Sequence, residues 1–504
     1  MLWLALHLPC LSLEAFCATL PGADAAQPVA LLAAHRLTDV NTAAHARGLR
    51  PGMKRATALA LVADLRLGVA DAVRDAAALQ AVAHAALAFT PMVVLHGRAT
   101  VLLEVQGSLR YFGGHGVLLL RLRQALAPLG HRVHIASAPT PLGAALLASW
   151  RSDLEQGAHA HDLAALQALL DAAPVWLLGP GREHWEALQG MGLQTLGDLR
   201  ALPRAGLARR FGEDLLQALD SALGRRPDPR QPVQLPAAFD SRLELQARAD
   251  TTAQVLHGAA VLLARLVAWA QAQQVRIAAF TLQMQHEARH RGEAAETTPL
   301  RIELAEPALD AEHLQLLLRE RLAQLVLPAP TLDLRLQCSD TVRRAAPNGE
   351  LFPTRQSQAQ GLTRLLERLR ARLGESQVLR VVAVADHRPE HACMLQPVVQ
   401  PIVQPTAAAV APVAVSTLPL HRPLWLLPEP QPLAERDAWP LLQGRPLQVL
   451  SGPERIESGW WDSTLVARDY YIALAADGTL VWIYTARLQP AEAGPQWFLQ
   501  GRFG

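Results

Sequence analysis

Residues 99–114 read Ala-Thr-Val-Leu-Leu-Glu-Val-Gln-Gly-Ser-Leu-Arg-Tyr-Phe-Gly-Gly, and no other stretch constrains the fold as much. Val101–Val105 is a short, nearly unbroken apolar run, the pattern of a strand buried in a sheet. Gly107-Ser108 then predicts a turn, and Gly113-Gly114 a second one. The run Val117–Leu126 that follows, Val-Leu-Leu-Leu-Arg-Leu-Arg-Gln-Ala-Leu, predicts a helix. A buried strand turning into a helix commits this part of the chain to a layered body of mixed α and β structure.

The flanking segments continue the alternation. Leu2–Leu8 predicts a strand and Leu11–Thr19 a helix. Val29–Leu32 predicts another strand, Asp71–Leu87 a helix with apolar residues about 3.6 positions apart, and Val93–Leu95 a strand. His131–Ser137 predicts a strand, and residues 138–145 a turn into a helix. Gly48 and Gly52 sit where turns need permissive φ. With 504 residues the chain exceeds what one core normally supports, so several domains are expected.

From Pro174 to Arg226 the pattern predicts a compact helical unit. Trp176–Leu178 leads into Gly179-Pro180-Gly181 and a helix to Leu188. Leu188–Leu199 has the form of a helix-hairpin-helix: Gly190 and Gly192 bracket an apolar residue, and Thr195 caps the next helix. Such hairpins offer backbone N–H groups to a DNA phosphate. Arg200, Arg204, Arg209 and Arg210 follow, and the planar fork of arginine suits two phosphate oxygens at once. The same pattern also fits a helical packing unit with a solvated basic face.

Strands are expected next at Phe239–Ala247, Val275–Gln285, Leu300–Leu304 and Thr331–Cys338, with helices at Thr252–Ala272 and Asp310–Leu325. That order, strand–helix–strand–strand–helix–strand, describes a small α+β sheet. Arg276, Arg301 and Arg335 are expected on its exposed face among Glu287, Glu303 and Asp333. Asn348-Gly349-Glu350-Leu351-Phe352-Pro353 follows in turn-rich sequence. Its paired apolar residues either enter a partner's groove or anchor the loop in the chain's own core. Thr363–Leu373 predicts a basic helix and Val378–Val384 a strand. Gln396–Thr417, dominated by Pro, Gln, Val and Ala, predicts an extended linker. Six of the 11 tryptophans lie beyond it. There, strands at Tyr471–Ala475 and Leu480–Tyr484 flank Asp477-Gly478, a hairpin signal.

Composition excludes several classes. A formal net charge of +2 neither demands nor forbids a polyanion partner. Lys54 is the only lysine, a bias that codon usage in a GC-rich genome explains. Cys10, Cys17, Cys338 and Cys393 form no Cys-x-x-Cys pair, which argues against a zinc ribbon or a disulfide scaffold and suits a reducing cytoplasm. There is no His-Glu-x-x-His. Met1–Ala26 lacks a basic leader, and His7, Pro9 and Glu14 interrupt its apolar run, so no signal peptide is expected. No stretch of about 20 uninterrupted apolar residues predicts a membrane span.

The strand-turn-helix at 99–126 resembles the palm of Y-family DNA polymerases. There an Asp-Glu pair precedes a Leu-Asp-Val-Thr-like run. Here Leu103-Glu104-Val105-Gln106 stands for the run, and the pair falls on Ala99 and Thr100. The family's first strand carries an Asp-x-Asp-Ala-Phe-like pattern, replaced here by His7-Leu8-Pro9-Cys10-Leu11. Arg47-Gly48-Leu49-Arg50-Pro51-Gly52-Met53 is similar to the family's finger segment. The preceding Tyr-x-x-Arg, a triphosphate contact, has become Thr42 and His45. The turn at 138–145 lacks the family's Asn-Lys. Nucleotidyl transfer needs two Mg²⁺ ions held by hard oxygen ligands, usually carboxylates. Glu104, four residues along the strand from Thr100, lies about 13 Å away and does not replace them. The resemblance therefore implies a polymerase-shaped body without a polymerase site.

Gly452–Asp462, with Trp460-Trp461, precedes Arg468-Asp469-Tyr470-Tyr471. With this tail the chain as a whole resembles ImuB-like proteins, catalytically inactive homologues of Y-family polymerases. The fold this implies is multidomain α+β: palm and fingers at 1–165, a helical thumb at 166–234, and a little-finger-like domain at 235–345. A clamp-motif loop and basic helix at 346–395, the Pro-rich linker at 396–417 and a Trp-rich β region at 418–504 complete it. No catalytic residue, metal or cofactor is expected. DNA contact is expected at Gly190, Gly192, Thr195, Arg200, Arg204, Arg209 and Arg210. Sliding-clamp contact is expected at Asn348, Leu351 and Phe352, with Asn348 in the place of the usual Gln. The implied role is cytoplasmic: a DNA-binding adaptor in damage-induced translesion synthesis. Its partners would be the clamp, an ImuA-like RecA-related protein and an error-prone C-family DNA polymerase. An active polymerase with a rearranged metal site, and a DNA-binding scaffold outside mutagenesis, stand as alternatives.

Overall fold

The structure, a computed structural model, describes residues 1–20, 26–150, 158–288, 296–343, 355–398, 422–423, 425–487 and 497–503. The expected clamp segment, Asn348–Pro353, and nearly all of the Pro-rich linker lie outside them. The chain forms two compact units, Met1–Arg372 and Leu373–Gly504.

The first unit begins β1 (Trp3–His7), α1 (Leu11–Cys17), β2 (Val29–Ala33), β3 (Arg36–Val40), α2 (Thr42–Ala46), α3 (Arg55–Leu61), β4 (Arg66–Val69) and α4 (Ala72–Leu87). It continues β5 (Val93–His96), β6 (Thr100–Glu104), α5 (Leu109–Phe112), α6 (His115–Leu126), β7 (His134–Ala138) and α7 (Pro141–Trp150). Four strands make an antiparallel sheet in the order β5-β6-β1-β7. Alternation along β1 sends Trp3 and Ala5 into one core with Leu102, Ala136 and α7, and Leu4 and Leu6 into another with Val101, Leu103 and α4. Both faces are covered, which is why the strand is apolar without a break. Helix α4, capped by the Asp71 carboxylate, is buried at every position from Ala81 to Ala86.

The finger module is a separate sheet, β3-β2-β4, over a small core of Ala30, Leu37, Ala44, Leu49 and Ala58. The sequence pattern predicts neither β3 nor β4. The β2–β3 turn is Ala34-His35, both left-handed at φ 48° and 62°, with none of the Gly or Asn that normally marks such a turn. Gly48 and Gly52 both adopt φ 89° as expected.

The helical unit comprises α8 (Leu163–Asp171), α9 (Gly179–Glu183), α10 (Trp185–Gly190), α11 (Leu196–Ala201), α12 (Arg204–Phe211) and α13 (Glu213–Ala222). The single helix expected up to Leu188 is two, broken where His184 leaves helical geometry at φ −102°, ψ 14°. Next come β8 (Phe239–Ala249), α14 (Thr252–Gln273), β9 (Arg276–His286), β10 (Thr297–Ala308), α15 (Ala311–Ala323) and β11 (Thr331–Val342). Their sheet has the order β10-β9-β11-β8, and each element matches its expected place. Helix α14 opens with a Thr251–Gln254 capping box. Among the described residues it is the one helix long and apolar enough to cross a membrane. Its Val255, Leu262, Leu266 and Trp269 are buried in this domain's core.

Helix α16 (Arg355–Leu373) is tied to this domain by Ala371 in the core, by the Arg364–Asp310 pair and, at its buried centre, by the Glu367 carboxylate. A bulge in β10 between Glu303 and Ala308 leaves backbone donors unpaired in the ladder. Glu367 accepts the N–H groups of Ala305 and Glu306 on one oxygen, and its other oxygen lies 2.8 Å from His313 Nε2. Glu367 and His313 are only 6% and 8% exposed.

The second unit holds β12 (Leu379–Ala383), β13 (Cys393–Pro397), β14 (Trp425–Pro432), β15 (Ala434–Arg436), β16 (Trp439–Leu442) and β17 (Arg445–Pro446). β18 (Gln448–Ser458), β19 (Val466–Leu474), β20 (Leu480–Ala486) and β21 (Trp497–Arg502) follow. Its main sheet is β14-β21-β20-β19-β18. The predicted Asp477-Gly478 turn forms between β19 and β20, with Gly478 at φ 87°. Arg388, almost wholly buried, pairs with both Asp386 and Asp462 and so pins the loop that exposes Trp460 and Trp461.

Glu367→Ala removes the acceptor of the buried His313 ring and of the partly buried Ala305 N–H, and an unsatisfied buried group costs about 1–3 kcal/mol. A melting-point loss of several degrees is expected, with faster hydrogen exchange at the Ala305 and Glu306 amides. Glu367→Gln, which keeps one acceptor oxygen, should lose less.

Candidate functional site

Antiparallel pairing brings positions 7, 99 and 100 together. His7 ends β1 directly opposite Thr100 on β6 and His134 on β7. Its Nδ1 lies 3.0 Å from Thr100 Oγ1. The neighbouring Ala99 carbonyl accepts the Leu8 N–H at 2.8 Å. Positions 7, 99 and 100 thus share one sheet end, and they present an imidazole, a methyl and a hydroxyl. That donor set does not fit Mg²⁺, which takes hard oxygens and carboxylates. Among the described residues, no group of three or more His, Cys, Asp or Glu is placed to hold a metal ion.

Glu104 sits at the opposite end of β6, across from Trp3. Its carboxylate accepts from the Leu2 and Gln106 N–H groups at 3.4 and 3.2 Å, so it caps the turn. Thr42 and His45 are exposed on α2, which Asn41 caps. In the Lys-free turn at 138–145, the Thr140 hydroxyl donates to the Ala222 carbonyl at 2.7 Å, which packs the turn against α13.

The hairpin forms where it was expected, with Gly192 at φ 78°. Its N–H groups are already bonded. Those of Met191, Gly192 and Leu193 donate to the Leu188 and Gln189 carbonyls. Those of Gln194 and Thr195 donate to the Asp198 carboxylate at 3.2 and 2.9 Å, within a Thr195–Asp198 capping box. The expectation that these donors lie open to a phosphate is corrected: a carboxylate stands in that place. The four arginines divide. Arg200 grips Asp171 with two bonds of 2.9 and 2.7 Å, and Arg204 grips Asp220 at 2.9 and 2.5 Å. Arg209 and Arg210, exposed at the end of α12, have no ion-pair partner among the described residues.

The open face of the β8–β11 sheet repeats that pairing. Arg335 bonds Asp240 at 2.5 Å, Arg242 bonds Asp333 at 2.7 Å, and Arg301 reaches both Asp340 and Glu303. Asp333 is not exposed, contrary to expectation: its side chain is 8% accessible, and burial pushes its carboxyl upward against the pull of Arg242. Asp240, Arg242 and Asp340 were missed in the sequence. The alternation of β8, which puts Asp240 and Arg242 on one face, is the signal that would have found two of them.

No family model matches the chain. Protein ImuB from two strains of Caulobacter vibrioides is 30% identical to it over 480 residues, spanning 91% of this chain and 100% of the relative. The chain belongs to the ImuB family. Solved structures similar to it include DinB from Sulfolobus solfataricus, at a TM-score of 0.37 and 15% identity over 68% of this chain and 99% of that one. An insertion ternary complex of Dbh DNA polymerase has a TM-score of 0.39 at 14% identity, over 68% of this chain and 100% of that one.

In this ImuB-family chain the His7 ring is uncharged at neutral pH. Burial first, and His134 second, hold His7 down to about 4. Burial alone does the same to His84 on α4, whose Nε2 has no hydrogen-bond partner among the described residues. Both groups take up a proton near pH 6.5 when unfolded but stay neutral in the fold to about pH 4. The unfolded chain therefore binds more protons in that window, and stability falls as pH drops from about 6.5 to about 4. Denaturant midpoints measured across this range should fall. A His84→Gln variant, whose side chain does not titrate, should show a shallower fall.

Proposed function

We propose that this protein is a non-catalytic, DNA-binding adaptor in damage-induced translesion synthesis. One observation carries the reading. The sheet register gathers His7, Ala99 and Thr100 at one sheet end, and these are the positions that the sequence resemblance matches to the metal carboxylates of Y-family polymerases; none of the three is an acid. The body is retained around it: β1, β6 and β7 are fully packed on both faces. Membership of the ImuB family supports the same role.

An adaptor's own residues bind and position rather than react. Arg209 and Arg210 are free to meet phosphate oxygens, while Arg200 and Arg204 already hold carboxylates and mainly fasten α11 and α12. Asn348, Leu351 and Phe352 supply a short anchor for the sliding clamp. The second unit and its exposed tryptophans supply surface for an ImuA-like RecA-related protein and an error-prone C-family DNA polymerase.

Primer extension with purified protein and Mg²⁺ or Mn²⁺ tests the central point. No incorporation is expected, and Glu104→Ala should change nothing catalytic. Restoring His7→Asp, Ala99→Asp and Thr100→Glu together should still give no synthesis, because the nucleotide grip at Thr42 and His45 is also altered. Metal-dependent incorporation by the unmodified protein would sink the reading.

Clamp docking has its own test. Leu351→Ala with Phe352→Ala should abolish clamp binding in surface plasmon resonance and leave the melting temperature unchanged, since such anchors carry about 2 kcal/mol or more each. Asn348→Gln, one methylene longer, should tighten the contact. A double variant that melts several degrees lower would place the loop in the core instead.

A further inference from the structure

The finger module stands apart from the rest of the first unit in charge. Residues 27–70 carry six Lys or Arg (Arg36, Arg47, Arg50, Lys54, Arg55, Arg66) against two acids, Asp39 and Asp64. One of the six is neutralised, Arg47 by Asp64 at 2.6 Å. Elsewhere in the unit carboxylates hold Arg200 and Arg204 in the helical unit and Arg242, Arg301 and Arg335 on the sheet face.

Part of the unpaired charge converges on one cleft. Ala34, His35, Arg36, Lys54, Arg55, Ala56 and Leu59 line an open space of about 550 Å³ between the β2–β3 turn and the start of α3. Arg36, Lys54 and Arg55 have no ion-pair partner among the described residues, and no acid is in the lining. The walls are held in place by the backbone. The Arg55 N–H donates to the His35 carbonyl at 3.1 Å, the Gly52 N–H to the Leu37 carbonyl at 2.7 Å, and Arg36 forms a β-bridge with Lys54. Arg36 Nη1 also donates to the Gly52 carbonyl at 2.8 Å, which leaves its other N–H groups free. The lip itself is the left-handed pair Ala34-His35, a conformation costly for residues with a Cβ and often kept where a site needs it. Ala34, Ala56 and Leu59 give the cleft an apolar share.

We infer that this fingertip cleft binds the phosphodiester backbone of single-stranded DNA. Three unpaired cations on one backbone-braced wall offer charge to phosphates, and the apolar share accepts a sugar or base. The cleft has no aromatic platform, so binding here rests on charge and is tolerant of sequence. The inference rests on the DNA-binding reading above and adds to it a second contact, distinct from Arg209 and Arg210.

The test uses the full-length protein and fluorescence anisotropy, with labelled oligothymidylate of about 20 nucleotides and a blunt duplex of equal length. Arg36→Gln, Lys54→Gln and Arg55→Gln together should weaken oligothymidylate binding about tenfold and lower the log–log salt slope by about 2, at about 0.7 for each lost phosphate contact. Duplex affinity should stay within about twofold, and the melting curve should not move, because the three side chains are exposed. A charge-keeping variant, Arg36→Lys, Lys54→Arg and Arg55→Lys, should retain binding. A matched loss of charge in the second unit, Arg380→Gln, Arg436→Gln and Arg445→Gln, should leave oligothymidylate binding intact; equal weakening there would mean bulk charge and overturn the site. Unchanged oligothymidylate affinity and slope in the finger variant would also overturn it. So would displacement of the oligonucleotide by submillimolar dATP or inorganic phosphate, which would make the cleft a mononucleotide or free-phosphate site. If Arg209→Ala with Arg210→Ala still weakens duplex binding in those cases, the adaptor reading survives the loss of the fingertip site.

Discussion

The pairing of β1 with β6 on one side and β7 on the other is the constraint from which the first unit follows. Each of its five residues has a partner in both neighbours. Its side chains feed two separate cores, so the register cannot slip by one residue without turning Leu4 and Leu6 out of one core and Trp3 and Ala5 out of the other. The same register delivers His7 to Thr100 and His134. The polar end of the sheet is therefore not independently built. It is where the apolar pairing runs out, and selection for the packed strand preserves the geometry of that end whatever residues occupy it.

Charge in this protein is governed by pairing more than by number. Nearly every basic residue is arginine, and a bidentate contact to a carboxylate satisfies the same fork that would meet a phosphate. Arg200, Arg204 and Arg335 are engaged in this way, Arg242 makes a single bond to Asp333, and Arg301 is shared between Asp340 and Glu303. Such pairs fasten strands and helices but project little field. Arg209, Arg210, Arg36, Lys54 and Arg55 lack such partners among the described residues, so the end of α12 and the finger tip keep positive charge available to a polyanion. A net charge of +2 conceals this division.

Periodicity made most elements legible. The α14 and α15 helices and the four strands around them were readable because each has a long, regular apolar pattern that switches cleanly between periods. β3 and β4 were not, since one follows a turn without turn residues and the other is four residues long. The hairpin at 190–195 was visible in its glycines, yet its bonding was not. Whether an N–H group is free depends on where the Asp198 side chain reaches, and no local pattern reports that. Asp333 illustrates the same limit: an acid in an alternating strand reads as exposed, and only Arg242 on the adjacent strand explains its burial.

The sequence by itself determined the absence of acids at positions 7, 99 and 100, the order of most strands and helices, and the surplus of arginine. These are properties of residue identity and of spacing along one chain, and they survive without any contact being known. Only the tertiary structure decided that positions 7 and 100 face each other, that Glu367 reaches across to the β10 bulge, and which arginines are spent on carboxylates. The physical reason is distance along the chain. His7 and Thr100 lie 93 residues apart, and Arg335 and Asp240 lie 95 apart. Ion pairs and sheet registers between such segments follow from how whole cores close, which no local pattern encodes.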